Sequence, residues 1–172
     1  MTYNGEVPVG QVVIWKDGNG NVLAQGSTYS FYANSNVTIS ATVETSAPKD
    51  PTASIGLFTY DANENKVTVV NNFFVPEGKK AVKAGVILST KSTLANMTNE
   101  ERVNFLKAQT NGKFEGTEEK FSGTDTNKNQ IRISVTRTAT TSFTMYALAY
   151  VVVIENGTEK PYYATTVQSI SY

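Results

Sequence analysis

The side chains able to do chemistry in this 172-residue chain are few in kind, because it has no cysteine and no histidine. No thiol or imidazole is available as nucleophile, base or metal ligand. Ser-His-Asp triads, Cys-His pairs, His/Cys zinc sites, haem, iron–sulfur clusters and thiol redox chemistry are therefore excluded. Carboxylates, amides, hydroxyls and aromatic rings remain.

The most unusual pattern among them is a triplicate. Asp17-x-Asn19-x-Asn21, Asp61-x-Asn63-x-Asn65 and Asp125-x-Asn127-x-Asn129 share one spacing, and they take in three of the four aspartates of the chain. Alternating oxygen ligands open calcium loops, so calcium is the one cofactor the pattern could hold. The rest of such a loop is missing. No glycine follows at the sixth position, and the twelfth is Thr28, Asn72 or Thr136 instead of a glutamate. Asp and Asn also make turns between strands unaided, which is the expected role of all nine residues.

Other constellations are weaker. Two carboxylates could hydrolyse a glycoside if held ~5–9 Å apart across a cleft. The available pairs, Glu100-Glu101 and Glu118-Glu119, are sequence neighbours, and neighbours on a helix do not face one another. No catalytic site is expected. Ser46-Ala-Pro-Lys49 matches the letters of a serine acyl-enzyme motif, but prolines surround it where a helix start is needed. Flat rings can stack on sugar faces, and Trp15, Tyr29, Tyr32, Tyr60, Tyr162 and Tyr163 are candidates. Trp15 is expected in the core, because aromatic rings gain much from burial. Tyr162 and Tyr163 adjoin on one strand, so one should face outward. Tyr60, Tyr162 and Tyr163 are the expected ligand-binding residues. A Lys–Asn crosslink beside an acid is conceivable in a cysteine-free sandwich.

These residues must be positioned by β-structure. Strands are expected at 11–16, 22–23, 29–33, 37–43, 54–60, 66–75, 82–90, 130–137, 143–154 and 160–171. Residues 37–43 alternate Val37, Ile39, Ala41 and Val43 with polar neighbours, the period of a half-buried strand. Asn156-Gly157 between apolar runs is the strongest short-range hairpin signal. One helix is expected over 98–110. It opens with the capping box Thr98-x-x-Glu101, carries Val103, Phe105 and Leu106, and stops at Asn111-Gly112. Phe114 and Phe121 should pin a long polar loop to the body. Residues 45–51, with two prolines, read as a linker. The expected organisation is a small β subdomain at 1–46 and a sandwich at 47–172.

Trp15-Lys-Asp-Gly-Asn-Gly-Asn-Val-Leu23, Thr28-Tyr-Ser-Phe-Tyr-Ala33 and Asn36-Val-Thr-Ile-Ser-Ala41 resemble the C-terminal half of internalin-type β-repeats. Gly85–Thr90, Thr144–Tyr150, Asn156-Gly157 and Tyr162-Tyr-Ala164 resemble strands and the final hairpin of immunoglobulin- or fibronectin-type modules of Gram-positive surface proteins. That resemblance implies an all-β, antiparallel, immunoglobulin-like sandwich with one short inserted helix, and it assigns Tyr146 as the buried tyrosine. It implies a non-catalytic structural or adhesive module of a larger cell-surface or secreted bacterial protein.

The resemblance implies an extracellular, monomeric module, and a charged fraction of 17%, with Thr, Ser and Asn in place of charge, is common in extracellular β proteins. Fifteen basic residues balance fifteen acidic ones, which argues against nucleic acid as partner. The longest apolar run, Tyr146–Ile154, falls short of the ~20 residues of a membrane helix, so no membrane insertion is expected. No signal peptide is visible, which fits either a cytoplasmic or virion protein or a segment of a larger secreted chain. The expected partner is a protein or polysaccharide at the cell surface. Two alternatives stay open: a carbohydrate-binding module using exposed aromatics, and a phage or virion structural protein.

Overall fold

A computed structural model describes residues 1–31, 36–45, 50–110, 118–121, 129–137 and 142–172. Within them the chain is all-β and sandwich-like, with three antiparallel sheets and one short α-helix.

The N-terminal sheet has the order β2-β1-β3, with β1 at Val12–Asp17, β2 at Val22–Gln25 and β3 at Ile39–Glu44. Its period-two pattern works as expected from Ile39 on. Ile39, Ala41 and Val43 pack on a small core, whereas Ser40 and Thr42 are exposed. Val37 lies before the strand and is exposed. That core consists of Val13, Trp15, Leu23 and Tyr29. Trp15 is 3% exposed and donates its indole N–H to the Gly26 carbonyl at 2.8 Å, which satisfies the one polar atom a buried Trp brings. The strand expected at 29–33 is not formed at Tyr29–Phe31; Tyr32 and Ala33 lie outside the described residues. Here the backbone bonds to the first residues of the chain: Tyr29 N donates to Met1 O at 2.9 Å, and the ladder is the single bridge Thr2–Thr28.

The second sheet has the order β4-β5-β8, with β4 at Thr52–Asp61, β5 at Lys66–Phe74 and β8 at Gln130–Thr136. The third is built on β6 (Ala81–Ser89), β7 (Glu118–Lys120), β9 (Thr144–Glu155), β10 (Thr158–Tyr163) and β11 (Gln168–Ser171), in the order β10-β9-β6-β7 with β11 also on β9. Cross-strand partners share a face, so the register separates the two sides of this sheet. Ala84, Val86, Ala147, Ala149, Val151 and Tyr162 lie on one side. Lys83, Gly85, Ile87, Leu148, Tyr150, Val152 and Tyr163 lie on the other. The first side packs on Ile55, Val67, Val69, Phe73, Ile131 and Ile133 of the second sheet. The other side lies under the helical segment. β9 is thus covered on both faces over most of its length, which is why Met145–Val153 reads as an unbroken apolar run.

Four details depart from expectation. The segment 160–171 is two strands, not one. β10 pairs with Tyr150–Glu155 and β11 with Thr144–Ala147, and Ala164, buried with its N–H on the Ala149 carbonyl, marks the break. A 3-10 turn at Ser92–Asn96 buries Leu94 completely beneath β9. A short edge strand, β7, forms in the polar stretch around Glu118-Glu119. The fully buried tyrosine is Tyr150, whereas Tyr146 is half-buried. Both lie on the same side of β9, but Tyr150 meets the Tyr163 ring and donates its hydroxyl to Glu118 at 2.7 Å.

The helix α1 spans Asn99–Thr110 and closes the far layer. Its capping box is formed: Thr98 N donates to the Glu101 carboxylate at 2.7 Å, and Glu101 N donates to the Thr98 hydroxyl at 3.2 Å. Those bonds hold the Glu101 carboxyl below its usual range, the Thr98 backbone N–H being the largest cause. Thr98→Ala removes the cap and is expected to cost about 1 kcal/mol, measured as a shift in the urea midpoint. Phe121 packs on the core, ring to ring with Phe73 at 5.5 Å; Phe114 lies outside the described residues.

The boundary expected between residues 46 and 47 also lies outside the described residues. On either side of it the N-terminal sheet rests on the outer face of β4 and β5, where the Thr52 hydroxyl donates to the Val22 carbonyl at 2.6 Å.

Candidate functional site

The Asp/Asn loops use their oxygens to hold turns. Asp17 Oδ1 accepts from the backbone N–H groups of Asn19 and Asn21, both at 2.9 Å, and Oδ2 accepts from the Asn21 side-chain amide at 2.9 Å. The Asn21 oxygen accepts from Thr165 at 3.1 Å. Asp61 Oδ1 accepts from the N–H groups of Asn63 and Glu64 at 2.9 and 3.3 Å. Asn65 takes φ +49°, accepts the Tyr60 hydroxyl at 2.7 Å and donates to the Arg137 carbonyl at 2.9 Å. In both loops the carboxylate faces N–H donors, the arrangement of a side-chain-capped turn. Asp125 and Asn127 lie outside the described residues; Asn129 accepts the Phe73 N–H through its backbone carbonyl at 2.8 Å. Among the described residues no three acidic side chains gather as a metal site would need.

The three expected ligand-binding tyrosines do not form one patch. Tyr60 belongs to β4, with its ring 3.8 Å from that of Tyr172 and 5.9 Å from the Arg137 guanidinium. Tyr162 and Tyr163 lie on opposite faces of β10. Tyr163 is turned to the helix, with Arg102 5.4 Å from its ring centre. Tyr162 sits between Lys79 and Lys160, at 5.6 and 4.8 Å, and donates its hydroxyl to Glu155 at 2.6 Å. All three are half-buried.

Glu155 is the hub of the main ion-pair network, bonded to Lys79 at 2.7 Å and Lys160 at 2.9 Å. Lys79, Tyr162 and Lys160, in that order, hold its carboxyl at about pH 2, against an ordinary value of 4.5. A carboxyl depressed on folding stabilises the fold fully above its unfolded pKa, and that contribution is lost as pH falls through the folded value. The urea midpoint of the protein is therefore expected to fall between pH 4.5 and 2. Glu155→Gln should start lower at neutral pH and fall less over that range.

Asn71 is fully buried, and its amide nitrogen donates to the carbonyls of Gly85 at 2.8 Å and Tyr150 at 2.9 Å, tying the two large sheets together, while its Oδ1 has no partner among the described residues. No lysine is among its hydrogen-bond partners.

Two cavities among the described residues bear on function. One of about 340 Å³ lies between α1 and the third sheet and is lined by Val103, Leu106, Val152, Pro161 and Tyr163, with Lys83, Lys107, Glu118 and Glu159 at its polar parts. Lys83 reaches Glu159 at 2.8 Å and Glu118 at 3.9 Å across it.

The other, of about 120 Å³, lies in the seam where the N-terminal sheet meets the outer face of β4–β5. Leu23, Tyr29 and Phe31 come from the first side, and Ile55, Leu57 and Val70 from the second. Asp17, Asn19, Asn72 and Gln130 add polar groups. Trp15, Tyr29 and Phe31 stand in a row: Trp15 and Tyr29 at 6.1 Å, Tyr29 and Phe31 stacked at 5.5 Å. Burial first, then the Asp17 charge, pushes the Tyr29 hydroxyl up to about 12, so it stays a donor at neutral pH. Gln130 donates to the Asn72 oxygen at 2.7 Å. Asn72 lies across Gly56, at a register shift of β4; a Cβ there would stand 2.3 Å from its amide nitrogen.

Tyr29 was visible in the sequence as a candidate ring. Phe31, Leu57, Asn72 and Gln130 were not, because they come from separate segments that share no motif. Two signals pointed their way: a glycine inside a strand, which marks a bulge or a close approach, and Asn71-Asn72 interrupting an apolar run.

No helix among the described residues is long and apolar enough to cross a membrane. No protein-family model matches this chain, and neither does any curated protein or solved structure.

Proposed function

We propose that the chain is a non-catalytic structural or adhesive module of a larger cell-surface or secreted bacterial protein. On this reading residues 47–172 are an immunoglobulin- or fibronectin-like sandwich, and residues 1–46 are a partial β-repeat that supports it. The observation that carries the reading is where the reactive groups go. Asp17 and Asp61 cap their own turns. Glu101 caps α1. Glu118 takes the Tyr150 hydroxyl, and Glu44 pairs with Lys16. Glu155 is held by two lysines and a tyrosine. Two carboxylates working on a bond would instead face a common cleft unengaged; Glu118 and Glu159 do share the cavity under α1, but Lys83 pairs with both of them there. Packing supports the same reading: four layers, formed by the N-terminal sheet, the two large sheets and the helix, make a body that can transmit position without moving parts.

The test is surface exposure. Antibodies raised against the folded chain should label intact cells of the source organism, and brief protease treatment of those cells should remove the label. Label that appears only after lysis would contradict the proposal.

A further inference from the structure

We propose that the seam between the N-terminal sheet and β4–β5 binds one neutral sugar ring. This rests on the adhesive reading above and names its ligand class.

Size comes first. A water takes up ~30 Å³ in the liquid, so about 120 Å³ has room for roughly four waters. That suits a single small ring and is too little for a nucleotide or a peptide. Lining comes second. Phe31, stacked on Tyr29, stands on one wall, and Leu57 and Val70 form the other. The C–H faces of a pyranose fit between such walls. Polar groups come third. Gln130 donates to Asn72 Oδ1, which fixes both amides and leaves the Asn72 nitrogen and the Gln130 oxygen without a partner among the described residues. A donor beside an acceptor matches neighbouring hydroxyls, each of which gives and takes one bond. Tyr29, 4% exposed, adds a hydroxyl that bonds to no described residue. Charge comes fourth. Among the described residues no lysine or arginine lines the seam, and the one acidic side chain there is Asp17. A phosphate, a uronate or the carboxylate of an amino acid would be repelled and left unpaired, so the ligand is neutral.

The orientation of Asn72 depends on Gly56, which supplies a selective variant. The added methyl of Gly56→Ala would meet the far end of the Asn72 side chain and displace it. Isothermal titration calorimetry should use the full chain and the methyl glycosides of glucose, galactose, mannose and N-acetylglucosamine, each to 50 mM. At least one should bind saturably with a Kd on the order of 1 mM, the affinity that about a dozen heavy atoms reach at ordinary efficiency. Gly56→Ala and Gln130→Ala should each weaken it about tenfold, the effect of one lost hydrogen bond. Tyr162→Phe should leave it unchanged, and circular dichroism would show that each variant folds. If no glycoside of the four binds, or if binding survives both seam variants, the proposal is overturned. Surface labelling with no glycoside bound would overturn the site and leave the adhesive reading standing. Cleavage of a bound glycoside would overturn the non-catalytic reading and leave the site standing.

Discussion

Trp15→Ala is expected to unfold the N-terminal sheet and leave the rest of the molecule folded. Among the described residues Trp15 is the largest of the four buried side chains that cluster in that sheet's core, with Ile14 buried beside them on β1. Removing a fully packed aromatic costs about 3–5 kcal/mol, and the Gly26 carbonyl loses its indole donor as well. A core of Val13, Leu23 and Tyr29 has little left to offset that loss. The larger core shares none of these residues. In two-dimensional NMR, backbone signals from β1, β2 and β3 should collapse to unfolded positions while those from β5, β6 and β9 stay. Seam binding should vanish with the sheet, because Tyr29 and Phe31 form one of its walls. Joint loss of all signals would show that the two cores fold as one.

Phe73→Ala is expected to destabilise the whole sandwich instead. Phe73 is 1% exposed, sits between the large sheets and stacks on Phe121. The cost is again about 3–5 kcal/mol. A domain holds about 5–15 kcal/mol in all, so the urea midpoint should fall by roughly 2 M at an m-value near 2 kcal/mol/M. Far-ultraviolet dichroism and backbone NMR signals of β4, β6 and β9 should report the same shift. Separate transitions within the two large sheets would contradict the packing described.

Most of the fold was legible in the sequence because strands announce themselves by period. Ile39-x-Ala41-x-Val43 gave β3, Ile131-x-Ile133-x-Val135 gave β8, and Asn156-Gly157 gave the final hairpin with both residues at positive φ. Thr98 and Glu101 marked the helix start. What stayed hidden depends on contacts across sequence distance. Nothing local in 160–171 says that the strand must break at Ala164; the break follows from the length of β9, which pairs with both halves. Nothing in Ser92–Asn96 says that Leu94 is covered. Tyr146 and Tyr150 occupy the same run, and only the position of Glu118 and the helix decides which is sealed. The seam is the extreme case, since its walls come from two sheets.

The same reasoning explains why the expected ligand rings and the seam differ. Tyr60, Tyr162 and Tyr163 stand out in the sequence as aromatics on strands, yet each is engaged by a neighbour: Asn65, Glu155 and Arg102. The amides of the seam look like turn or surface residues in sequence and become a site only when Gly56 lets Asn72 lie flat.

The most direct measurement is a titration of 15N-labelled protein with the same methyl glycosides, followed through side-chain amide signals. Asn72 and Gln130, with the backbone of Gly56, should shift in a saturable way, while the sealed Asn71 amide and the Asn156 turn stay still. Unmoved seam signals at 50 mM glycoside, or shifts centred on Tyr60 or Tyr162, would contradict a ligand held between the N-terminal sheet and β4–β5.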